Sequence, residues 1–454
     1  MTADTPTPRG TPATASPKAT TEASDAQESS DSIDWTPAAP ASPNAAVLPA
    51  DTRAGFAPTP APHGGAMIEA SPSNGSHAPV RRMVRTNLPI GAGRLEFATL
   101  GPFELDSGAV LAELTVGYRH DGPGPDGAPQ IVVVHALTGS ADAASDWWAP
   151  LIGPGRALDT DRFGVVCANL LGSCYGTTGP TSRNPATGLP YGSSFPDVST
   201  RDQARAQWRL FDALGIDRIE LVAGGSLGGM VALEIGALRP GAVRTLVPIA
   251  APARTGPMAI AWNHIQLRLI ELLGDEGLSL ARQLAMTTYR SEVDFDERFG
   301  RQRQPDGTLS IVSYLTYQGR KLLDRFDRDT YRVLAGAMTL HDLGYERGGI
   351  GAALTPLGAA NGRLVGVGIQ DDILYGPGQV RALVADAVAA GLRADYREIH
   401  STKGHDAFLV EWPQLDELLR DALDGEARDP VRRPVPAGRR SVPSGAGRGG
   451  DVGK

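Results

Sequence analysis

Cysteine and long apolar runs are both scarce in this sequence. Its 454 residues contain only two cysteines, Cys167 and Cys174, and their spacing matches neither a disulfide framework nor a zinc site. No stretch of about 18 consecutive apolar residues occurs, and the N-terminus lacks the apolar segment typical of a signal peptide. These absences argue against a secreted disulfide-bonded protein and against a membrane-spanning one. We therefore expect a cytoplasmic protein with free thiols, no bound metal and no membrane partner.

An excess of positive charge is also lacking. The formal net charge is −8 at pH 7, and no glycine-rich phosphate-binding loop is present. An acidic chain of this kind is not typical of a nucleic-acid-binding protein. The sequence therefore predicts no nucleic-acid partner.

Large apolar side chains are rare at both ends of the chain. Residues 1–80 are rich in Ala, Pro, Thr and Ser, and residues 428–454 are rich in Pro, Gly and Arg. Such compositions bury too little apolar surface to offset the entropy cost of folding. We expect two disordered tails, the second of them basic, on either side of a folded region. That region divides into a first core part at 81–256, an insert at 257–346 and a second core part at 347–427.

Strand-like and helix-like segments alternate through most of the folded region. The predicted strands are 111–118, 131–135, 163–168, 219–223, 245–250, 363–369 and 394–399. The predicted helices are one that begins with a capping box at Thr200 and ends at Gly215, one after residue 226, and those at 382–390 and 408–423. This alternation is typical of an α/β fold with a mostly parallel sheet and helices on both faces.

The segment 257–346 breaks this alternation. It contains helix-length patterns at 260–273, 278–286 and 310–323 and no strand-like run. A helical insert between two strand–helix units would lie over the carboxyl ends of the strands, where sites form in such sheets. The sequence therefore predicts a helical lid.

The motif G-x-S-x-G follows the apolar run at 219–223. Gly224, Ser226 and Gly228 occupy its fixed positions, and in α/β-hydrolase folds this motif forms a sharp turn that exposes the serine hydroxyl between a strand and a helix. The backbone N–H of Leu227 would then face an oxyanion formed on the attacked carbonyl. With 55 glycines in the chain, the motif also occurs by chance, so its partners decide its meaning.

A second backbone donor is expected after the strand at 131–135. The loop that follows, Ala136 to Ser140, holds the position that supplies the second oxyanion amide in this fold, here assigned to Leu137. An ordinary strand-to-helix turn with a glycine is the alternative interpretation.

The serine needs a base and an acid, which follow it in that fold in the order serine, acid, histidine. His405 lies in the loop after the last predicted strand, whereas the other histidines beyond Ser226 fall in the helical insert or end a strand. The strand at 363–369 is followed by Asp371 and Asp372, and the order of elements alone leaves both open as the acid. Three residues in the required order favour a catalytic triad.

Several runs of residues together resemble the homoserine O-acetyltransferase family. The runs are HALTG at 135–139, NLLGSC at 169–174, GTTGP at 176–180, GGSLGGM at 224–230, TYRS at 288–291, SYLTYQG at 313–319, RFD at 325–327 and GHDAFL at 404–409. The likeness extends over roughly residues 90 to 425 and is far more specific than a G-x-S-x-G motif alone.

The resemblance implies a function and a set of residue roles. Ser226 would be the nucleophile, His405 the base, and Asp372 rather than Asp371 the acid, because the family's aspartate immediately precedes the segment that here begins at residue 373. Arg282 would hold the carboxylate of the acceptor amino acid, and Asp406 would contact its amino group. A guanidinium and a carboxylate together suit a zwitterion.

The implied reaction is transfer of an acetyl group from acetyl-CoA, as co-substrate with no bound cofactor, to L-homoserine in methionine biosynthesis by a homodimer. The insert departs from the family between residues 270 and 282, where a longer aromatic segment is common, and Ile235 stands where a tryptophan is common. The alternatives are transfer to serine or another hydroxy amino acid, an esterase on the same fold, and a non-catalytic binding protein.

Overall fold

The computed structural model describes residues 89–425. The two predicted tails, 1–80 and 428–454, lie outside these residues, so their expected disorder stays a prediction. Within 89–425, no helix is long and apolar enough to cross a membrane.

An eight-stranded sheet forms the centre of the fold. Its strands are β1 (Leu95–Thr99), β4 (Thr115–Asp121), β5 (Gln130–Val134), β6 (Gly164–Ala168), β7 (Ile219–Gly225), β8 (Val243–Ile249), β9 (Arg363–Ile369) and β10 (Arg393–Ile399). Their order across the sheet is β1-β4-β6-β5-β7-β8-β9-β10. In this order, all neighbouring pairs from β6 onward are parallel, whereas β1–β4 and β4–β6 are antiparallel. A separate two-stranded sheet joins β2 (Phe103–Glu104) to β3 (Val110–Leu111).

Helices cover both faces of the main sheet. The helices of the α/β core are α1 (Thr200–Leu214), α2 (Leu227–Leu238), α8 (Ile350–Ala359), α9 (Pro377–Ala389), α10 (Ala407–Val410) and α11 (Trp412–Asp424), with 3₁₀ turns at Gly192–Ser194 and Gly404–Asp406. Successive strand residues point to opposite faces, so Val132 joins the apolar core formed with α1, α2 and α9, while Ile131 and Val133 join the core formed with α11. This arrangement is an α/β-hydrolase fold, which confirms the predicted fold class.

Five helices form the insert between β8 and β9. They are α3 (Pro257–Leu273), α4 (Asp275–Tyr289), α5 (Glu292–Arg298), α6 (Ser310–Leu323) and α7 (Arg328–Leu340). The predicted helix 310–323 has the bounds of α6, and 260–273 and 278–286 lie inside α3 and α4. That the insert acts as a lid stays a prediction.

The two ends of the insert meet in a short antiparallel contact. The amide of Thr255 donates to the carbonyl of His341 at 3.0 Å, and the amide of Leu343 donates to the carbonyl of Ala253 at 2.9 Å. The buried imidazole of His341 adds a 2.9 Å hydrogen bond to the hydroxyl of Thr200 at the start of α1. The insert therefore leaves and re-enters the core at one place.

The first helix begins at Thr200 as predicted, but its capping box lies one residue earlier than predicted. Ser199 is the N-cap of α1, and its hydroxyl accepts from the amide of Asp202 while the Asp202 carboxylate accepts from the amide of Ser199. A short acidic side chain at the third helical position completes this reciprocal cap as Glu or Gln would. Gly215 ends the helix with φ 75°, as predicted.

Two other predicted elements are divided in the structure. The run 111–118 ends β3 at Leu111 and begins β4 at Thr115, because Leu114 instead exchanges hydrogen bonds with Leu100 and Gly101. The predicted helix 408–423 is broken at Glu411, between α10 and α11, because α11 starts with a proline in its first turn, and proline has no N–H to continue the preceding helix.

Candidate active site

Ser226 lies at the sharp turn between β7 and α2. Its backbone has φ 57° and ψ −124°, a conformation that residues other than glycine rarely adopt. A Cβ atom on Gly224 would lie 2.5 Å from the carbonyl carbon and oxygen of Gly228, and one on Gly228 would collide with the carbonyl oxygen of Val134. Both glycines are therefore required for the chain to pass this close to itself.

His405 and Asp372 form a buried pair. Nδ1 of His405 lies 2.7 Å from Oδ2 of Asp372, and both side chains are at most 3% exposed. The other carboxylate oxygen accepts from the amides of Leu374 and Tyr375, at 2.8 and 3.0 Å. These three contacts fix the orientation of the carboxylate, whereas Asp371 is partly exposed and forms no such bond to His405.

The charge of Asp372 determines the protonation behaviour of His405. Burial of the imidazole lowers the pKa of His405, but the attraction of Asp372 and the hydrogen bond to it outweigh burial. The pKa of His405 consequently lies above its ordinary value of 6.5. An imidazolium at this position is thus stabilised by the protein.

Nε2 of His405 is buried and accepts no hydrogen bond from any residue in 89–425, the hydroxyl of Ser226 included. The ring of Phe408 lies 5.6 Å from that of His405 and also packs against Gly225, the residue before Ser226. Contacts between a nucleophile and its base are often long before substrate binds. His405 and the turn of Ser226 therefore share the contact with Phe408, and no hydrogen bond joins the serine to the histidine.

The predicted oxyanion donors lie on two adjoining turns. The elbow turn at Gly228 touches the carbonyls of Val134 and His135, where the loop to Leu137 starts. Neither the amide of Leu137 nor that of Leu227 donates a hydrogen bond to a residue of the described chain. Two unused N–H groups on neighbouring turns are the arrangement that an oxyanion hole needs.

A neutral histidine holds the loop of Leu137 from the inside. Nε2 of His135 accepts from the amide of Leu170 at 3.0 Å, so its Nδ1 carries the proton and donates to the carbonyl of Ala136 at 2.8 Å. Burial lowers the pKa of His135 to about 4, which keeps the ring uncharged. Asn169 adds a 2.7 Å hydrogen bond from the amide of Ala141.

The ring of Tyr289 contacts both Arg282 and His405. Arg282 lies on α4, and its guanidinium carbon is 5.4 Å from the ring centroid of Tyr289. The ring of Tyr289 lies 5.8 Å from that of His405. Arg282 forms no ion pair with any carboxylate of residues 89–425, so its charge remains available to an anionic ligand.

Asp406 has a partner that the sequence analysis did not consider. Its carboxylate lies 3.3 Å from Nε of Arg290, and Nη1 of the same arginine lies 3.8 Å from a carboxylate oxygen of the fully buried Asp294. Lys403 donates to Asp294 at 3.0 Å. Asp406 is consequently part of an ion network that ties the loop of His405 to α4 and α5 of the insert.

Tyr289 and Arg290 are the residues at this site that sequence reasoning missed as functional candidates. Both lie in the TYRS run that contributed to the family resemblance, so the signal was present without an assigned role.

No group of His, Cys, Asp and Glu side chains in residues 89–425 is arranged to hold a metal ion. Cys167 is a buried free thiol and Cys174 a partly buried one.

Comparison with known proteins gives a consistent result. The model of the α/β-hydrolase fold family matches residues 129–314. Homoserine O-acetyltransferase from Moorella thermoacetica is 43% identical over 349 residues, which cover 70% of this chain and 92% of that protein.

Solved structures agree with the fold. The crystal structure of homoserine O-acetyltransferase from Staphylococcus aureus is similar with a TM-score of 0.62 and 32% identity, over 74% of this chain and 98% of that one. An acetylester hydrolase from Corynebacterium glutamicum has a TM-score of 0.64 and 22% identity, over 73% and 96% of the two chains, a likeness that extends to the fold alone.

Proposed function

Since the chain belongs to the homoserine O-acetyltransferase family of α/β-hydrolase-fold enzymes, we propose that it transfers an acetyl group from acetyl-CoA to the hydroxyl of L-homoserine. Ser226, His405 and Asp372 act as nucleophile, base and acid of the triad. Acetyl-CoA is the co-substrate, and no bound cofactor takes part. The proposal includes, from the family resemblance, a role in methionine biosynthesis in the cytoplasm.

The first half-reaction acylates the serine. His405 takes the proton of Ser226 at Nε2 as the oxygen attacks the thioester carbonyl, and Asp372 stabilises the imidazolium that results. The amides of Leu137 and Leu227 donate to the oxyanion of the tetrahedral intermediate. The carbon–sulfur bond then breaks, the thiolate of coenzyme A receives the proton from His405, and acetyl-Ser226 remains.

The second half-reaction passes the acetyl group to the acceptor. Neutral His405 removes the proton from the homoserine hydroxyl as its oxygen attacks the ester of acetyl-Ser226. After a second oxyanion intermediate, Ser226 leaves and regains its proton from His405. The products are O-acetylhomoserine and free enzyme.

The observation that supports an amino-acid acceptor is the placement of opposite charges beside His405. The unpaired guanidinium of Arg282 lies beyond Tyr289, and the carboxylate of Asp406 follows His405 directly in the chain. We assign Arg282 to the acceptor carboxylate and Asp406 to its ammonium group, with Arg290 orienting Asp406. A plain ester hydrolase has no need of such a pair.

A dimer is also part of the proposal. Met258, Ile265 and Leu272 recur every seven residues on α3 and are 63, 48 and 66% exposed. Apolar side chains at this spacing form a single stripe along a helix, which suits pairing with a second helix. We propose that α3 pairs with its copy in a homodimer.

Acylation of Ser226 tests the proposed chemistry. Mixing the protein with acetyl-CoA alone should add about 42 Da to the peptide that carries Ser226, as expected for a covalent acyl-enzyme. Adding L-homoserine should remove the label and yield O-acetylhomoserine, whereas L-serine at the same concentration serves as the competing acceptor. A label that survives in Ser226→Ala, or one that water removes as fast as homoserine does, would contradict the proposal.

A further inference from the structure

Arg325 joins the helical insert to the loop of Leu137. It lies between α6 and α7, and its Nη1 donates to the carbonyl of Thr138 at 2.8 Å and to the hydroxyl of Tyr175 at 2.8 Å. The Tyr175 hydroxyl in turn donates to the carbonyl of Arg325 at 3.1 Å. Because both the main chain and the side chain of Arg325 are held, the guanidinium has a defined position although it is exposed.

A chain of hydrogen bonds runs from Arg325 to the predicted oxyanion donor. The carbonyl of Thr138 and the N–H of Gly139 belong to one planar peptide unit, and this N–H donates to the carbonyl of Ala136 at 3.0 Å. The carbonyl of Ala136 and the N–H of Leu137 belong to the next such unit. In a trans peptide the two groups point in opposite directions, so a hold on Thr138 orients the amide of Leu137.

The charge of Arg325 acts along the same path. A cation at the start of a hydrogen-bonded peptide chain polarises each unit and strengthens the donor at its far end. Arg325 forms no ion pair with a carboxylate in residues 89–425, although its charge also acts on the carboxylate of Asp146. The guanidinium therefore reaches the loop without a directly bonded counter-ion. His135 holds the carbonyl of Ala136 as well, but that ring is neutral and comes from the core, whereas Arg325 comes from the insert.

We propose that Arg325 is a positioning residue of the oxyanion hole. It sets the direction and donor strength of the Leu137 amide through the peptides of Thr138 and Ala136. The helical insert thereby completes the acyl-transfer site of the core. The inference rests on the proposed function, since it assigns to that reaction a residue that does not touch the substrate.

The test compares variants of Arg325 in the acylation step. Arg325→Ala should slow acylation of Ser226 roughly 10- to 100-fold, less than the loss expected for removal of an oxyanion donor itself. A similar factor should appear with acetyl-CoA and with p-nitrophenyl acetate, because both substrates place an oxyanion in the same hole although their leaving groups differ. Arg325→Lys should retain more activity than the neutral Arg325→Gln, and Tyr175→Phe should show a smaller loss.

Two readouts separate positioning from general structural damage. Because the position is exposed, millimolar guanidinium should restore part of the activity of Arg325→Ala, whereas equal sodium chloride should not. The homoserine KM should stay at the wild-type value, because Arg325 does not hold the acceptor. Arg328→Ala is the matched control, since Arg328 is a nearby exposed arginine that pairs with Asp275 at 3.4 Å and does not contact the loop.

Several outcomes would overturn the inference. Unchanged acylation in a folded Arg325→Ala would show that Arg325 does not position the oxyanion hole. A rise in homoserine KM alone would make Arg325 an acceptor ligand instead. If the wild type reacts with p-nitrophenyl acetate but not with acetyl-CoA, the proposed function fails. The positioning role of Arg325 is then still tested by the acylation rates of its variants with p-nitrophenyl acetate. If it reacts with neither, both fall together.

Discussion

Replacing Asp372 with asparagine should stop the histidine from acting as a base while leaving the shape of the site intact. One carboxylate oxygen accepts from the amides of Leu374 and Tyr375, so the side-chain oxygen of the substituted asparagine must stay on that side. Its NH₂ group then faces Nδ1 of His405, which lies 2.7 Å from Oδ2 of the aspartate. Nδ1 must accept, so the proton moves to Nε2, where it blocks removal of the serine proton.

The size of the effect follows from two losses. A charge-assisted hydrogen bond to the imidazolium contributes about 1.5–3 kcal/mol, and confinement to the unreactive tautomer adds to it. We expect kcat of Asp372→Asn to fall about 10⁴-fold, or about 5.4 kcal/mol of barrier.

The pH profile provides a second measure of the same change. In the wild type, kcat/KM for acylation should rise with pH as His405 loses its proton, with the midpoint above 6.5 because Asp372 raises the pKa of His405. Without that charge, burial of the imidazole is opposed only by the weaker attraction of Asp406, so the midpoint in Asp372→Asn should move to a lower pH than in the wild type.

Single-turnover release of thiol from acetyl-CoA, measured between pH 5 and 9, gives both the rate and the midpoint. Asp371→Asn is the matched control, because Asp371 adjoins the site in sequence without bonding to His405. A loss of less than about tenfold, or a midpoint that does not move, would refute the role given to Asp372.

Two further predictions concern the acceptor and the dimer. Arg282→Lys keeps the charge but loses the two-pronged donor, so kcat/KM for homoserine should fall roughly 10- to 150-fold while acylation by acetyl-CoA stays near normal; an equal fall in both half-reactions would make Arg282 structural. Leu272→Glu puts a charge in the α3 stripe and should convert a dimer to a monomer in light scattering, whereas Val388→Glu, at a residue 56% exposed on α9, should not; a dimer that persists in Leu272→Glu would place the interface elsewhere.

The elements that the sequence predicts best are those decided by local pattern. The strand at 363–369 has the bounds of β9, because an apolar run between polar turns suits a strand buried on both faces. Polar helices and contacts between distant segments are harder. α5 (Glu292–Arg298) has one fully buried residue, Asp294, and no apolar stripe marks it.

The same distinction holds at the site. The motif and the chain order pick out Ser226 and His405, and the family resemblance selects Asp372 over Asp371. The contact of Arg325 with Thr138 joins residues 187 positions apart, and the ion pair of Asp406 with Arg290 depends on how the insert packs. Neither leaves a periodic or spacing signal in the sequence.

The closed neck of the insert has a consequence for how the protein can be altered. Ala253 and Leu343 are hydrogen-bonded neighbours at 2.9 Å, so everything between them forms a cassette whose two attachment points stay fixed. A longer or shorter cassette can be grafted there without shifting the register of β8 against β9. An exchanged cassette must nevertheless bring its own cation to Thr138 and its own partner for Asp406, and chimaeras that lack either should fold but turn over slowly.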